Sequence, residues 1–115
     1  MTELPGDEMR NDKFPAAYTT GRWPSDAAAP TTAPPGVHYS LTLARELHRT
    51  IRAKGISQRA ASQLAGLNPT AVGRILRGEC YPNLSSIARL EVALQTPLLT
   101  PGLYRTAPAI TPQGE

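Results

Sequence analysis

The stretch AGLNPTAVGRILRG, residues 65–78, predicts a short helix between a start signal and a stop signal. Asn68 can cap this helix, and Pro69 fits its first turn, where the missing N–H of a proline costs nothing. Gly78 is typical of the position that follows a helix. The interior contains Gly73, which costs about 1 kcal/mol of helix propensity relative to alanine. A helix of this composition depends on packing against its neighbours.

The two faces of this predicted helix differ in character. Val72 and Ile75 are apolar and predict the side that packs on the rest of the domain. Thr70, Arg74 and Arg77 are spaced at i, i+4 and i+7, so they share the opposite face. An outward face of this kind suits contact with a polyanion, above all with DNA.

Three further helices are predicted from apolar residues that recur every three or four positions. The first has its cap at Ser40 and ends at residues 54–55. The second covers about residues 58–65 after a cap at Ser57, and the fourth follows a cap at Asn83. No strand pattern is present, so the sequence predicts a compact all-α bundle of four to five helices.

Composition divides the chain into three regions. Residues 1–37 are rich in proline and alanine and predict a disordered arm, and deletion of residues 1–36 should leave thermal unfolding almost unchanged. Residues 38–104 form the predicted helical domain, and residues 105–115 a flexible, proline-containing tail. The arm also contains scattered aromatic residues that leave a short docking motif open as an alternative to a plain tail: Phe14, Tyr18 and Trp23.

Positive charge is concentrated in the predicted domain. Residues 1–39 carry a net charge of −2, whereas residues 40–94 carry +5, mostly as arginine. Such a domain is a plausible partner for phosphate backbones. Four arginines are expected to be solvated, with Glu46 or Glu91 as a possible ion-pair partner of the first two: Arg45, Arg49, Arg52 and Arg59.

Several classes of function are disfavoured by what the sequence lacks. No apolar stretch approaches the roughly 18 residues of a membrane span, and the acidic N-terminus is not a secretory signal. One cysteine and two histidines make no metal-ligand set. The predicted domain has no carboxylate pair, Cys–His couple or glycine-rich phosphate loop, so we do not expect an enzyme. We expect a cytoplasmic, nucleoid-associated protein with no cofactor, no metal and no membrane contact.

The second and third predicted helices stand in a particular relation to each other. Only about three residues separate them, too few for a hairpin with long arms. The small residues Ala61, Ser62 and Ala65 allow the third helix to cross close over the second. This is the helix-turn-helix arrangement, in which the second helix of the pair fits the major groove of DNA.

Four motifs in order make residues 41–99 resemble the Xre/Cro family of lambda-repressor-like helix-turn-helix domains. They are GISQ at 55–58, GLNPTAV at 66–72, RILRG at 74–78, and YPNLSSIARL with a following AL within 81–94. The resemblance implies a four- to five-helix bundle that binds double-stranded DNA sequence-specifically as a homodimer. It favours a transcriptional regulator, with a repressor on a palindromic operator as our first hypothesis.

The resemblance also implies roles for individual residues. Those expected to face base edges are Pro69, Thr70, Ala71 and Arg74. Those expected to hold phosphates are Gln58, Arg77, Tyr81, Asn83 and Ser85. Arg74 has the geometry to hold guanine O6 and N7 with both arms of its guanidinium group.

The chain departs from the family pattern at three places. Ala61 stands where the family usually has a large apolar residue, and we expect Leu64 to supply the missing bulk. Ser62 replaces a common alanine. Two prolines interrupt residues 96–103, where the family has a short fifth helix that often contributes to dimerisation.

An alternative function remains open from the sequence. The chain could be an antitoxin or an adaptor, in which the arm of residues 1–37 grips a protein partner. In that case specific and random DNA would bind alike, and a protein partner would co-purify through the arm.

Overall fold

A computed structural model describes residues 12–105, with Tyr104 described by its backbone alone. The α-helices are α1 Pro35–Lys54, α2 Gln58–Leu64, α3 Ala71–Leu76 and α4 Leu84–Leu94, and two short 3-10 helices cover Pro15–Tyr18 and Leu103–Arg105. Among these residues no strand is formed, and one isolated antiparallel bridge joins Thr20 to Ala28. The predicted all-α class is confirmed.

One apolar core joins the four helices. Its buried side chains recur at the spacing that predicted the helices: Leu43, Leu47 and Ile51 from α1, Ala61 from α2, Val72, Ile75 and Leu76 from α3, and Ile87, Leu90 and Leu94 from α4. Burial of such side chains is the dominant favourable contribution to folding, at about 25 cal/mol per Å² of apolar surface. The core therefore fixes where α3 lies relative to α2 and α4.

Helix α1 begins five residues before its predicted cap. Pro35 occupies the first turn, where a proline loses no hydrogen bond. Val37, one turn before Leu41, is fully buried and extends the apolar stripe of the helix. Ser40 is consequently buried inside α1 and does not cap it.

The predicted caps of α2 and α4 are confirmed. The Ser57 hydroxyl accepts a hydrogen bond from the Ala60 N–H at 3.0 Å. The Asn83 side-chain oxygen accepts one from the Ser86 N–H at 2.7 Å. Gly55 ends α1 in the left-handed conformation, with φ of 66°. These signals could be read from sequence because a cap acts within a few residues.

Residues 12–34 differ from the expected disordered arm, because they pack on the helices. Ala27 and Ala33 are buried. The Arg45 guanidinium of α1 donates hydrogen bonds to the carbonyls of Pro24 and Ala27, so Arg45 is not simply solvated as expected. Residues 35–37 of the expected arm form the first turn of α1, and residues 1–11 lie outside the described residues.

The chain after α4 forms no fifth α-helix up to residue 105. Gln95 turns the backbone with φ of 52°, and Leu98 then inserts fully into the core. The Glu91 carboxylate accepts hydrogen bonds from the N–H groups of Leu98 at 2.7 Å and Leu99 at 3.3 Å. Glu91 thus holds this segment, whereas Arg49 pairs with Glu46.

Within residues 12–105, the helices are all too short or too polar to cross a bilayer.

Candidate nucleic-acid interface

A closed turn precedes α3. The Asn68 side-chain oxygen accepts hydrogen bonds from the Thr70 N–H at 3.0 Å and the Thr70 hydroxyl at 2.8 Å. Asn68 therefore shapes the turn, whereas Thr70 holds the cap position and makes no side-chain cap bond of its own. Helix α3 starts at Ala71 and ends at Leu76, so it is shorter at both ends than predicted.

The buried hydroxyl of Ser62, on α2, caps the start of α3. Ser62 is fully buried, and its Oγ accepts a hydrogen bond from the Val72 N–H at 3.0 Å. The same hydroxyl donates to the Gln58 carbonyl at 3.0 Å. The first N–H groups of a helix have no partner within it, so Ser62 satisfies one of these groups and ties α3 to α2. The sequence indicated Ser62 as a small residue at the helix crossing and as a departure from the family pattern, but not as a cap for α3.

The other departures have different outcomes. Ala61 is fully buried, but Leu64 is 63% exposed and does not supply the expected bulk. Small residues at the crossing of α2 and α3 instead keep the two helices close, as the sequence indicated.

The structure brings the predicted base-facing residues to one end of α3. Thr70 and Arg74 are exposed, while Pro69 and Ala71 are half-buried beside them. Val72, Ile75 and Leu76 of α3 are buried in the core. Among residues 12–105, the Arg74 side chain makes no hydrogen bond or ion pair, so its guanidinium group is available to a ligand.

The side chains of two predicted phosphate-holding residues, Gln58 and Arg77, both lie close to Gly73. A Cβ built on Gly73 would lie 3.0 Å from Arg77 Nη1 and 3.2 Å from Gln58 Oε1. The groove beside it has a volume of about 410 Å³ and is bounded by the start of α2 and by α3. Glycine is therefore the residue that lets both polar groups approach the surface of α3.

The charge of Arg77 is shared with a neighbouring carboxylate. Arg77 Nε donates to Glu79 Oε2 at 2.7 Å, with both side chains about half exposed. This hydrogen bond raises the pKa of Arg77 and lowers the pKa of Glu79 below its usual range. A phosphate at Arg77 would have to compete with Glu79.

Tyr81 is engaged by the N-terminal segment. Its hydroxyl donates to the Lys13 carbonyl at 2.7 Å, so its single O–H is not available to a phosphate. Burial raises the pKa of Tyr81 to about 12. Asn83 and Ser85 are exposed at the start of α4, and the Asn83 oxygen serves as its cap.

Over the described ranges, no three histidine, cysteine, aspartate or glutamate side chains lie close enough together to hold a metal ion. Cys80 is half-buried in the turn after α3, and burial raises the pKa of its thiol. It therefore resembles a packing residue more than a reactive thiolate.

Two short helices are joined by a tight turn, with an exposed threonine at the cap of the second and, on that helix, an arginine whose side chain is unpaired within residues 12–105. This arrangement is that of a helix-turn-helix protein of the DNA-binding class. A family model described as helix-turn-helix matches residues 47–100. Through these residues the chain belongs to the Xre/lambda-repressor-like helix-turn-helix family.

Two solved structures are similar to the chain. The hypothetical transcription factor NHTF from Neisseria is 27% identical with a TM-score of 0.53, and the match covers 69% of this chain and 94% of that protein. The restriction-modification controller protein C.AhdI from Aeromonas hydrophila is 32% identical with a TM-score of 0.47, covering 50% of this chain and 86% of that one. No curated protein matches the chain.

Proposed function

We propose that this protein is a sequence-specific transcriptional regulator whose helix α3 reads the major groove of DNA. The observation that carries the proposal is the exposed end of α3, where the Arg74 guanidinium has no partner among the described residues. Major-groove edges of guanine present two acceptors, and a guanidinium group binds both at once. Similarity to a hypothetical transcription factor supports the same class of function.

The neighbours of Arg74 narrow the proposed base contacts. The Thr70 hydroxyl donates its proton to Asn68, which leaves its lone pairs and its methyl group for DNA. Thr70 would thus accept from adenine N6 or cytosine N4, or contact a thymine methyl. Pro69 and Ala71 carry no donor on their side chains, so they suit apolar contact with a thymine methyl.

Phosphates would be held on either side of α3. Gln58 and Arg77 border the groove over Gly73 on one side, and Asn83 and Ser85 begin α4 on the other. Such contacts set the register of the protein on the duplex and carry the salt dependence of binding. We assign Tyr81 a place beside this backbone through its ring, since its hydroxyl donates to Lys13.

We further propose that the protein acts as a homodimeric repressor. Helix-turn-helix dimers bind two half-sites about one helical turn apart, so the operator would be a palindrome with this spacing. A dimer bound over a promoter would block access of the polymerase. Sedimentation of the protein with and without its duplex would measure the oligomeric state.

Selection of bound duplexes from a randomised DNA library tests the proposal. The full chain should enrich one palindromic sequence and bind it at least about 1,000-fold more tightly than a random duplex at physiological salt. Equal affinity for selected and random duplexes would contradict the proposal. That result, with a protein captured through residues 1–37, would favour the adaptor hypothesis.

A further inference from the structure

A closed loop lies between the first 3-10 helix and α1. Thr20 and Ala28 exchange two backbone hydrogen bonds, of 3.1 Å and 2.9 Å, which close the residues between them into a loop. Arg45 of α1 donates to the carbonyls of Pro24 and Ala27 inside it. The Arg45 side chain therefore fixes the loop to α1.

The loop places Trp23 on the C-terminal end of α3. The indole Nε1–H donates to the Ile75 carbonyl at 3.1 Å, and the ring packs against the core. Gly78, with φ of +68°, lies under the ring so closely that a Cβ there would be 2.7 Å from Trp23 Cδ2 and 2.7 Å from the Ala16 Cβ. Ala16 N–H in turn donates to the Gly78 carbonyl at 3.0 Å.

These contacts matter because α3 has few means of fixing itself. The last carbonyls of a helix lack partners within it, and a helix of six residues forms few internal hydrogen bonds. Ser62 holds the start of α3, and the Trp23 loop holds its end. Recognition requires side chains held to within about 0.5 Å of the productive geometry.

We propose that Trp23 is a positioning residue for DNA recognition. The loop at 20–28 braces the C-terminal end of α3 so that Thr70 and Arg74 meet their bases in register. This inference rests on the proposed function. The brace sets the discrimination between sequences more than the overall affinity for DNA, because Trp23 itself offers no charge to phosphates.

Replacing the indole by a ring without a donor tests the brace. Trp23→Phe keeps an aromatic ring but removes the hydrogen bond to Ile75, and Phe14→Ala is the matched control, a 53% exposed aromatic of the same segment. The duplex selected by the full wild-type chain and a random duplex of equal length are titrated at one salt concentration. We expect Trp23→Phe to raise the Kd of the selected duplex about three- to tenfold, leaving the random duplex and the control unchanged.

A second variant loosens the loop without touching α3. Arg45→Lys keeps the charge but replaces the guanidinium group that reaches both loop carbonyls. We expect the same loss of discrimination, which keeps the test decisive if Trp23→Phe does not fold. Unchanged discrimination in a folded Trp23→Phe protein, or equal losses for selected and random duplexes, would overturn the proposal.

Fluorescence of the wild-type protein gives an independent measurement, because Trp23 is its single tryptophan. We expect acrylamide to quench Trp23 no more in the complex with the selected duplex than in the unbound protein. Stronger quenching in the complex would show that the ring leaves α3 and would overturn the brace. If the wild-type chain selects no sequence, the proposed function is wrong. If it selects a sequence and the variants discriminate as well as wild type, only the proposed role of Trp23 is wrong.

Discussion

Ser62 illustrates how a single polar atom positions helix α3. Its hydroxyl lies within the protein, accepts from Val72 and donates to Gln58, so each of its roles is satisfied. A buried polar group is tolerated only under that condition.

The Ser62→Ala substitution should therefore lower stability. It leaves the buried Val72 N–H without its partner, and we expect a loss of about 1–2 kcal/mol in the free energy of unfolding measured in urea. Ser85→Ala, at an exposed serine of α4, is the control and should change stability little. Equal stability of Ser62→Ala and wild type would mean that Val72 does not depend on this hydroxyl.

Helix α3 has a weak intrinsic tendency to form a helix, because Gly73 lies in its interior. The side chains of Gln58 and Arg77 lie close to its backbone at that glycine. Gly73→Ala should gain up to about 1 kcal/mol of helix propensity. The new methyl would press on Arg77 and Gln58, whose flexible ends can move aside. We expect the melting temperature to be maintained or raised, and binding to selected and random duplexes to weaken several-fold.

Gly55→Ala is the control for that variant. Gly55 has φ of +66° with no atom near its missing Cβ, so alanine is strained there without touching the interface. It should lose stability and keep DNA affinity, the reverse of Gly73→Ala. Unaltered DNA binding by Gly73→Ala would remove Gln58 and Arg77 from the proposed phosphate contacts.

The turn after α3 contains a carboxylate that would oppose the proposed phosphate contact of Arg77. Glu79→Gln removes the carboxylate that pairs with Arg77, so the guanidinium group becomes available to a phosphate. We expect tighter binding to every sequence and a salt dependence steeper by about one charge. Glu46→Gln, which breaks the Glu46–Arg49 pair on α1, should leave both quantities unchanged. A salt dependence identical to wild type in Glu79→Gln would exclude Arg77 from the backbone contacts.

Elements could be predicted from sequence where their causes are local. The caps at Ser57 and Asn83 and the apolar spacing of α4 act within a few residues, so those helices were predicted closely. The start of α1 was placed too late because Ser40 is a good cap in isolation, whereas Pro35 and Val37 continue the helix.

The sequence predicted which residues of the candidate site are exposed. It did not predict the long-range contacts that hold the site in place. Thr70 and Arg74 lie outward, as their spacing indicated. The bond from Trp23 to Ile75 joins residues 52 positions apart, and no periodicity or motif signals a contact over that distance. The Tyr81 bond to Lys13 is missed for the same reason.

On the scale of the whole molecule, residues 12–34 act as part of the domain. They contribute buried side chains and hydrogen bonds to α1, α3 and the turn before α4. These contacts speak against the expectation that residues 1–36 can be removed almost without effect, and we propose instead that residues 12–34 stabilise the domain.

Deletion of residues 1–34 should lower the melting temperature by about 10 °C or more. Each kcal/mol shifts the melting temperature of a domain this small by about 4–8 °C, and the deletion removes several contacts worth about 1 kcal/mol each. Phe14→Ala, within the same segment, should shift it little. A deletion protein that melts like wild type would return the domain boundary to residue 37.

The most direct measurement of the central claim is the ratio of Kd for random and selected duplexes in Arg74→Ala, at one salt concentration. A bidentate contact to guanine contributes about 1–3 kcal/mol of discrimination, so we predict that the ratio falls about tenfold or more. Arg52→Ala, which removes an equal charge from an exposed position on α1, should preserve the ratio. An Arg74→Ala protein with the wild-type ratio would contradict the claim that α3 reads DNA through this residue.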